Sequence, residues 1–209
     1  MFYEPRKQDH GLRHDPFKSC VVPRPIGWIS TVSRAGVRNL APYSFFNAVA
    51  WAPPMVVFGS PYRAADGTSK DTLANVEETG EFVVNLATEV LAREVNQSAL
   101  PVESDVDEFE LTGLEALDCQ LVAAPRVARA PINMECRLTQ IVLLPSLNPS
   151  RPNALVIGEV VGVHIADDAI RDGKVDVARL KPLARLGYHD WSCVERTFTL
   201  DRPTIREAL

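Results

Sequence analysis

The chain lacks most of the features that mark membrane, disulfide-stapled or dinucleotide-binding proteins. Its longest mostly apolar run, Ala154 to Val163, is interrupted by Gly158 and Glu159, and nothing approaches the roughly 20 apolar residues of a membrane span. The first residues, MFYEPRKQDHGLRHDP, are charged throughout and contain no apolar core of a secretory signal, so the expectation is a cytoplasmic protein with no membrane partner. There is no G-x-G-x-x-G and no G-x-x-x-x-G-K-[ST], which removes the two commonest glycine-rich phosphate loops. Only four cysteines occur (Cys20, Cys119, Cys136, Cys193), far apart and with no C-x-x-C pair; they read as free thiols rather than a disulfide frame or a zinc site. Basic residues are outnumbered, 22 against 27 acidic, for a net charge of −5, which disfavours a nucleic-acid partner.

What is present fits one globular domain. The 209 residues are 46% hydrophobic and 23% charged, ordinary for a folded chain, and long enough for one large core rather than two. The 16 prolines are scattered and favour turns and short elements over long helices. Ile26–Arg34 alternates apolar and small polar residues and ends at Ala35-Gly36, a strand and turn. Arg38–Asn47 reads as extended and aromatic-rich, and Met55–Gly59 as a short buried strand; the three suggest an antiparallel meander. Asp71–Thr79 is a predicted helix stopped by Gly80. Glu81–Ala87 reads as a strand and Thr88–Leu100 as a helix. Cys119–Ala128, Ile132–Leu144 and Ala154–Ile165 read as strands. This order predicts a mostly-β barrel with peripheral helices, not an alternating β-α-β domain.

Three polar clusters can carry chemistry. Ser30-Thr31-Val32-Ser33 places hydroxyls at a strand end. Asn39 to Asn47 alternates Ser44 and Asn47 with aromatics along an extended backbone, which can offer main-chain groups to a planar ring. Ser69-Lys70-Asp71-Thr72 opens a helix, where unpaired N–H groups beside a lysine and a threonine suit a phosphate. Each cluster has an ordinary alternative: the polar face of a sheet, part of an aromatic core, or a helix cap.

Order and spacing together are more specific. The segments RPIGWIST (Arg24–Thr31), NLAPYSFFN (Asn39–Asn47), PP-MVVFG (Pro53–Gly59), KDT (Lys70–Thr72), N-x-x-x-T-G-E-F-V-V-N (Asn75–Asn85), D-E-F-E-x-x-G-L (Asp107–Leu114) and R-L-G-Y (Arg185–Tyr188) resemble the flavin reductase-like, FMN-binding split-barrel family, in particular its flavoredoxin-like branch. The resemblance covers roughly the first 165 residues. It implies a mostly-β FMN-binding split β-barrel, a single domain over 1–209 with its core at about 15–165 and a C-terminal extension, and a homodimer with FMN at the subunit interface. Carried over by position, Ser30 and Thr31 lie along the flavin. Ala41, Ser44, Phe45 and Asn47 flank its ring, Lys70, Asp71 and Thr72 hold the phosphate, and Arg185 is a candidate for the phosphate or the far rim of the site.

The implied activity is an oxidoreductase passing electrons between a small-molecule donor and acceptor through FMN; the alternative is a non-catalytic flavin-binding carrier or storage protein. Many members that use NAD(P)H carry Gly-Asp-His on the strand before G-E-V. Here that strand reads Asn153 to Val160 without a histidine, which leaves the donor open. His164 and His189 read as structural. No general acid or base and no metal site are expected.

Overall fold

The computed structural model describes residues 1–61, 69–148 and 152–203. Gly27–Val32 (β1) is hidden on both faces, because Ile29 enters one apolar cluster and Trp28 another. Around it a seven-stranded antiparallel sheet is built from β1, Arg38–Tyr43 (β2), Phe46–Trp51 (β3), Pro54–Pro61 (β4), Glu81–Leu86 (β5), Ile132–Leu144 (β6) and Asn153–Ile165 (β7). Its order is β2-β1-β5-β6-β7-β4-β3.

The three early strands are therefore not a simple meander. β2 and β3 are joined through Ser44 and Phe45 yet lie on opposite edges of the sheet. A connection that short requires the sheet to curl until its edges approach, which closes a barrel. Gly27 records the approach, and Gly59, on the strand paired with β3, shows how tightly the corner packs on its neighbour. A Cβ on Gly27 of β1 would meet the Phe46 ring of β3 at 2.6 Å, and one on Gly59 of β4 would meet Phe45 at 3.2 Å. The Gly59 amide also donates to the Phe45 carbonyl at 2.7 Å. Across the barrel, Gly158 of β7 lies against the Phe82 ring. Register shifts beside Gly158 and Gly162 bend the long β6–β7 ladder.

The barrel interior holds Ile29, Tyr43, Phe58, Phe82, Val84, Val156 and neighbours, with Leu73 and Val76 plugging it from the helix Asp71–Thr79 (α1). A second cluster, with Trp28, Leu40, Leu91, Val95, Phe109 and Leu183, lies outside the sheet, under Ala92–Gln97 (α2), Glu108–Thr112 (α3) and the C-terminal strands. Leu183–Arg185 (β8) pairs with Arg24–Pro25 on one side and Trp191–Cys193 (β9) on the other. The chain beyond residue 165 thus returns to pack on the domain.

Helix α1 has the expected bounds, and Gly80 stops it at φ 74° with its amide on Val76 O. Three expectations are corrected. Thr88–Leu100 is not one helix: Thr88 stays extended and bridges Pro182, a 3₁₀ turn covers Glu89–Leu91, and only Ala92–Gln97 is α-helical. Arg38–Asn47 breaks into two strands at the Ser44–Phe45 corner. Cys119–Ala128 is mostly turn, with only Arg126–Val127 in a two-residue ladder. There the amides of Gln120, Leu121 and Val122 donate to the buried Glu135 carboxylate, and that of Ala123 to Glu81. Carboxylate oxygens replace the neighbouring strand as acceptors. No helix among the described residues is long and apolar enough to cross a membrane.

Closure at Gly27 makes a direct prediction. Gly27→Ala pushes a methyl into the Phe46 ring and should destabilise the protein by about 1–3 kcal/mol, read as a lower urea midpoint; an unchanged midpoint contradicts this account of closure.

Candidate functional site

Where β2 passes the start of α1, a cleft of about 370 Å³ opens. Asn39, Ala41 and Tyr43 come from β2, Lys70, Asp71 and Thr72 from the start of α1, Ser98–Val102 from the chain after α2, and Glu108 from α3. Four of the expected residues (Ala41, Lys70, Asp71, Thr72) therefore meet in one cavity. The chain is extended at Lys70 (φ −68°, ψ 151°), and no side chain caps the helix that follows. Thr72 is buried and accepts from Asn39 Nδ2 at 2.8 Å, which fixes its rotamer. The Lys70 ammonium stands 5.7 Å from the Tyr43 ring centroid.

Beside this helix end lie two buried hydroxyls that sequence reasoning did not single out. Tyr43 Oη is enclosed next to the Thr72 and Ser60 hydroxyls, which ease its ionisation, yet neither Tyr43 Oη nor Ser60 Oγ meets a partner in good hydrogen-bond geometry. Buried polar atoms are rarely left unpaired. Burial pushes the Tyr43 pKa up to about 12 against the opposing Thr72 and Ser60 hydroxyls, with Asp71 and Glu108 adding to the rise, so it remains a neutral donor at physiological pH. An uncapped helix start, a lysine and unpaired hydroxyls are a donor set for a phosphate, and they fit the phosphate end of FMN.

The other expected ring contacts lie around the barrel corner. Ser44 is half-buried, the exposed Phe45 ring lies 5.9 Å from the Arg24 guanidinium, and Asn47 is exposed with its side-chain Oδ1 accepting from the Ala48 amide. Arg185 pairs in register with Arg24, donates to Tyr188 O at 2.8 Å and lies over the Trp191 ring. None of Ser44, Phe45, Asn47 and Arg185 lines the cleft; they lie past its Tyr43 end. Arg24, invisible as a structural residue in the sequence, donates to the carbonyls of Lys18, Val21 and Leu186 and ties both ends of the chain behind this corner.

Ser30 and Thr31 do not reach the cleft. Ser30 is fully buried, donates to Pro125 O at 2.5 Å and accepts from Asn85. Thr31, also fully buried, accepts from Asn75 Nδ2 of α1 at 3.0 Å. Asn85 goes further: it donates to Trp28 O and accepts from the Val127 amide and Asn133. Two asparagines of the sequence motif thus hold elements together from inside.

Residues 19–190 match the family described as flavin reductase like domain. The chain belongs to this family. An uncharacterized protein of Halalkalibacterium halodurans is 37% identical over 187 residues, spanning 90% of this chain and 89% of its own. The structure of nitrilotriacetate monooxygenase component B from Bacillus cereus superposes with a TM-score of 0.88 at 32% identity, covering 96% of this chain and 98% of that one. The 2-nitrobenzoate 2-nitroreductase of Pseudomonas fluorescens superposes at 0.82 with 26% identity, covering 98% of both chains. Flavoredoxins, at 19% and 20% identity, share the fold. The barrel described above is the split barrel of these proteins.

Within this flavin reductase-like chain the histidine on β7 is structural. His164 Nε2 lies 2.5 Å from Glu135 Oε1. Burial works against ionised Glu135, yet the Gln120 and Leu121 amides and His164 together hold its carboxyl below the usual range. His189 is exposed in the turn after Tyr188. Glu108 is the unforeseen titratable group. It is 5% exposed in the cleft wall and accepts from the Leu40 amide at 3.0 Å. Burial outweighs that bond and, with Asp71 and Asp107 nearby, pushes its pKa up to about 7.

A carboxyl raised on folding stays protonated in the native state while the unfolded chain has already ionised. Its contribution therefore favours folding below about pH 4.5 and is lost as pH rises to about 7. Glu108→Gln should flatten that fall, so the melting temperature of the variant gains on the native protein, by roughly 5 °C, between pH 4.5 and 7. Parallel profiles would show that Glu108 titrates normally.

Proposed function

We propose that this protein is an FMN-dependent oxidoreductase that passes electrons from a small-molecule donor to a small-molecule acceptor. The observation that carries the reading is the start of α1, where Lys70 and Thr72 line one cleft with Tyr43, whose buried hydroxyl lies next to Thr72 and Ser60. Membership of the flavin reductase-like family supports it. So does the similarity to a nitroreductase acting on 2-nitrobenzoate and to a monooxygenase component.

Lys70 neutralises the phosphate, and Thr72, its oxygen accepting from Asn39, turns its proton toward it. Asp71 contributes its amide, since its carboxylate repels a phosphate. Ala41, Ser44, Phe45 and Asn47 flank the ring through the backbone of the corner, with Arg185 at its rim. Ser30 and Thr31 act one layer down, holding β1 to the loop at Pro125 and to α1. When bound, FMN supplies the redox chemistry, and the protein sets access and orientation.

A homodimer completes the site in this reading. Edge strand β3 is exposed along five of its six residues, with Trp51 90% exposed; an apolar sheet edge of this kind invites a partner. The absence of a histidine between Asn153 and Val160 favours one second reading, a flavin carrier that does not itself oxidise NAD(P)H.

Two measurements decide. Lys70→Ala with Thr72→Ala should weaken FMN binding at least about tenfold in a fluorescence titration; unchanged affinity puts the phosphate elsewhere. Adding NADH and then NADPH to FMN-loaded protein under turnover conditions should bleach the flavin absorbance and consume the donor. Flavin that stays oxidised with both identifies the carrier.

A further inference from the structure

A second pocket, of about 390 Å³, shares no residue with the cleft. Thr88–Val90, Ala128–Pro131, Ala166 with Asp168, and Arg179–Lys181 line it. Its apolar wall is Ala128, Ala130, Pro131, Ala166 and Leu180, and its cations are Arg129, Arg179 and Lys181. Each cation has an acidic neighbour, but the pairings differ. Lys181 Nζ binds Glu89 at 2.8 Å. Arg129 uses Nη1 alone, on Glu94 at 2.7 Å, and Arg179 Nη2 is 3.9 Å from Asp168, beyond a hydrogen bond. A guanidinium has five N–H donors, so both arginines keep most of theirs.

Thr88 supplies an independent sign. It is 2% exposed, lines this pocket, and its hydroxyl has no hydrogen-bond partner. Its main chain is committed, through the bridge to Pro182 and the Leu91 amide donating to its carbonyl, which fixes where the residue stands in the pocket wall. The positive φ of 47° at Lys181 is the left-handed cap that ends the helix Val177–Leu180, with the Lys181 amide on Val177 O.

We propose that this pocket is a binding site for a small organic anion, an apolar body carrying a carboxylate or phosphate. The acidic group lies between Arg129 and Arg179, whose planar forks suit such an oxyanion. The Thr88 hydroxyl takes up one of its polar atoms, and the apolar body lies on Ala130, Pro131 and Leu180. The size is within the usual range for small-molecule sites.

The test is calorimetric titration of the full-length protein in saturating FMN, so that any phosphate site at α1 is filled. The probes are benzoate, succinate and inorganic phosphate. At least one should bind saturably, which also separates the carboxylate and phosphate arms. Arg129→Gln with Arg179→Gln should weaken that probe at least about tenfold, and Thr88→Val should weaken it measurably without lowering the unliganded melting temperature. Lys70→Ala should leave it unaltered. No saturable binding by any probe, or binding indifferent to both the arginine and the Thr88 variants, overturns the site whether or not the flavin reading stands.

Discussion

The approach of Phe46 to Gly27 is the contact on which the rest of the structure depends. β2 and β3 are separated by two residues in the chain and by the whole width of the sheet in pairing order. Only a sheet curled until its edges nearly touch satisfies both facts, and the missing Cβ at Gly27 gives the Phe46 ring its room. Curling brings Tyr43 and Phe58 together inside the barrel, 4.9 Å between ring centroids, and Phe82 next to Phe58 at 5.4 Å. Rings of this size each contribute about 1.5–3 kcal/mol by burial, so closure is also where much of the apolar gain is collected.

The candidate site inherits its geometry from that closure. Strand β2, up to Tyr43 before the corner, forms one wall, and α1, whose Leu73 and Val76 plug the barrel, brings Lys70 and Thr72 to the other. Asparagine side chains then fix the distances: Asn39 to Thr72 and Asn75 to Thr31 tie β2 and β1 to the helix, and Asn85 locks β1 to the loop at Val127. Satisfied buried networks of this sort define one arrangement rather than adding much net stability. Thr72 is therefore held in place before any ligand arrives, which lowers the cost of ordering it on binding.

Legibility in the sequence follows the range of the forces involved. Helix Asp71–Thr79 and its Gly80 stop are set by neighbours a few residues away, and Ile132–Leu144 is apolar and β-rich enough to declare itself. Cys119–Ala128 has the composition of a strand, but Glu135 and Glu81, distant in sequence, take its amides. Within the site, Lys70 and Thr72 are readable because a helix start is a local feature. Ser30 and Thr31 look the same whether their strand faces a ligand or a core, and here both hydroxyls are inside. Tyr43 and Ser60 carry no one-dimensional signal at all, since what marks them is a missing partner in three dimensions.

In the proposed function the start of α1, with Lys70, Thr72 and the Tyr43 hydroxyl, recognises the phosphate of a flavin mononucleotide. Comparing FMN with riboflavin on the same protein isolates that group, because the ring and ribityl chain are common to both. Charge-assisted phosphate contacts of this number should make FMN bind at least about a hundredfold more tightly, a difference of about 2.7 kcal/mol. Equal dissociation constants for the two flavins, or binding of neither, would contradict the account.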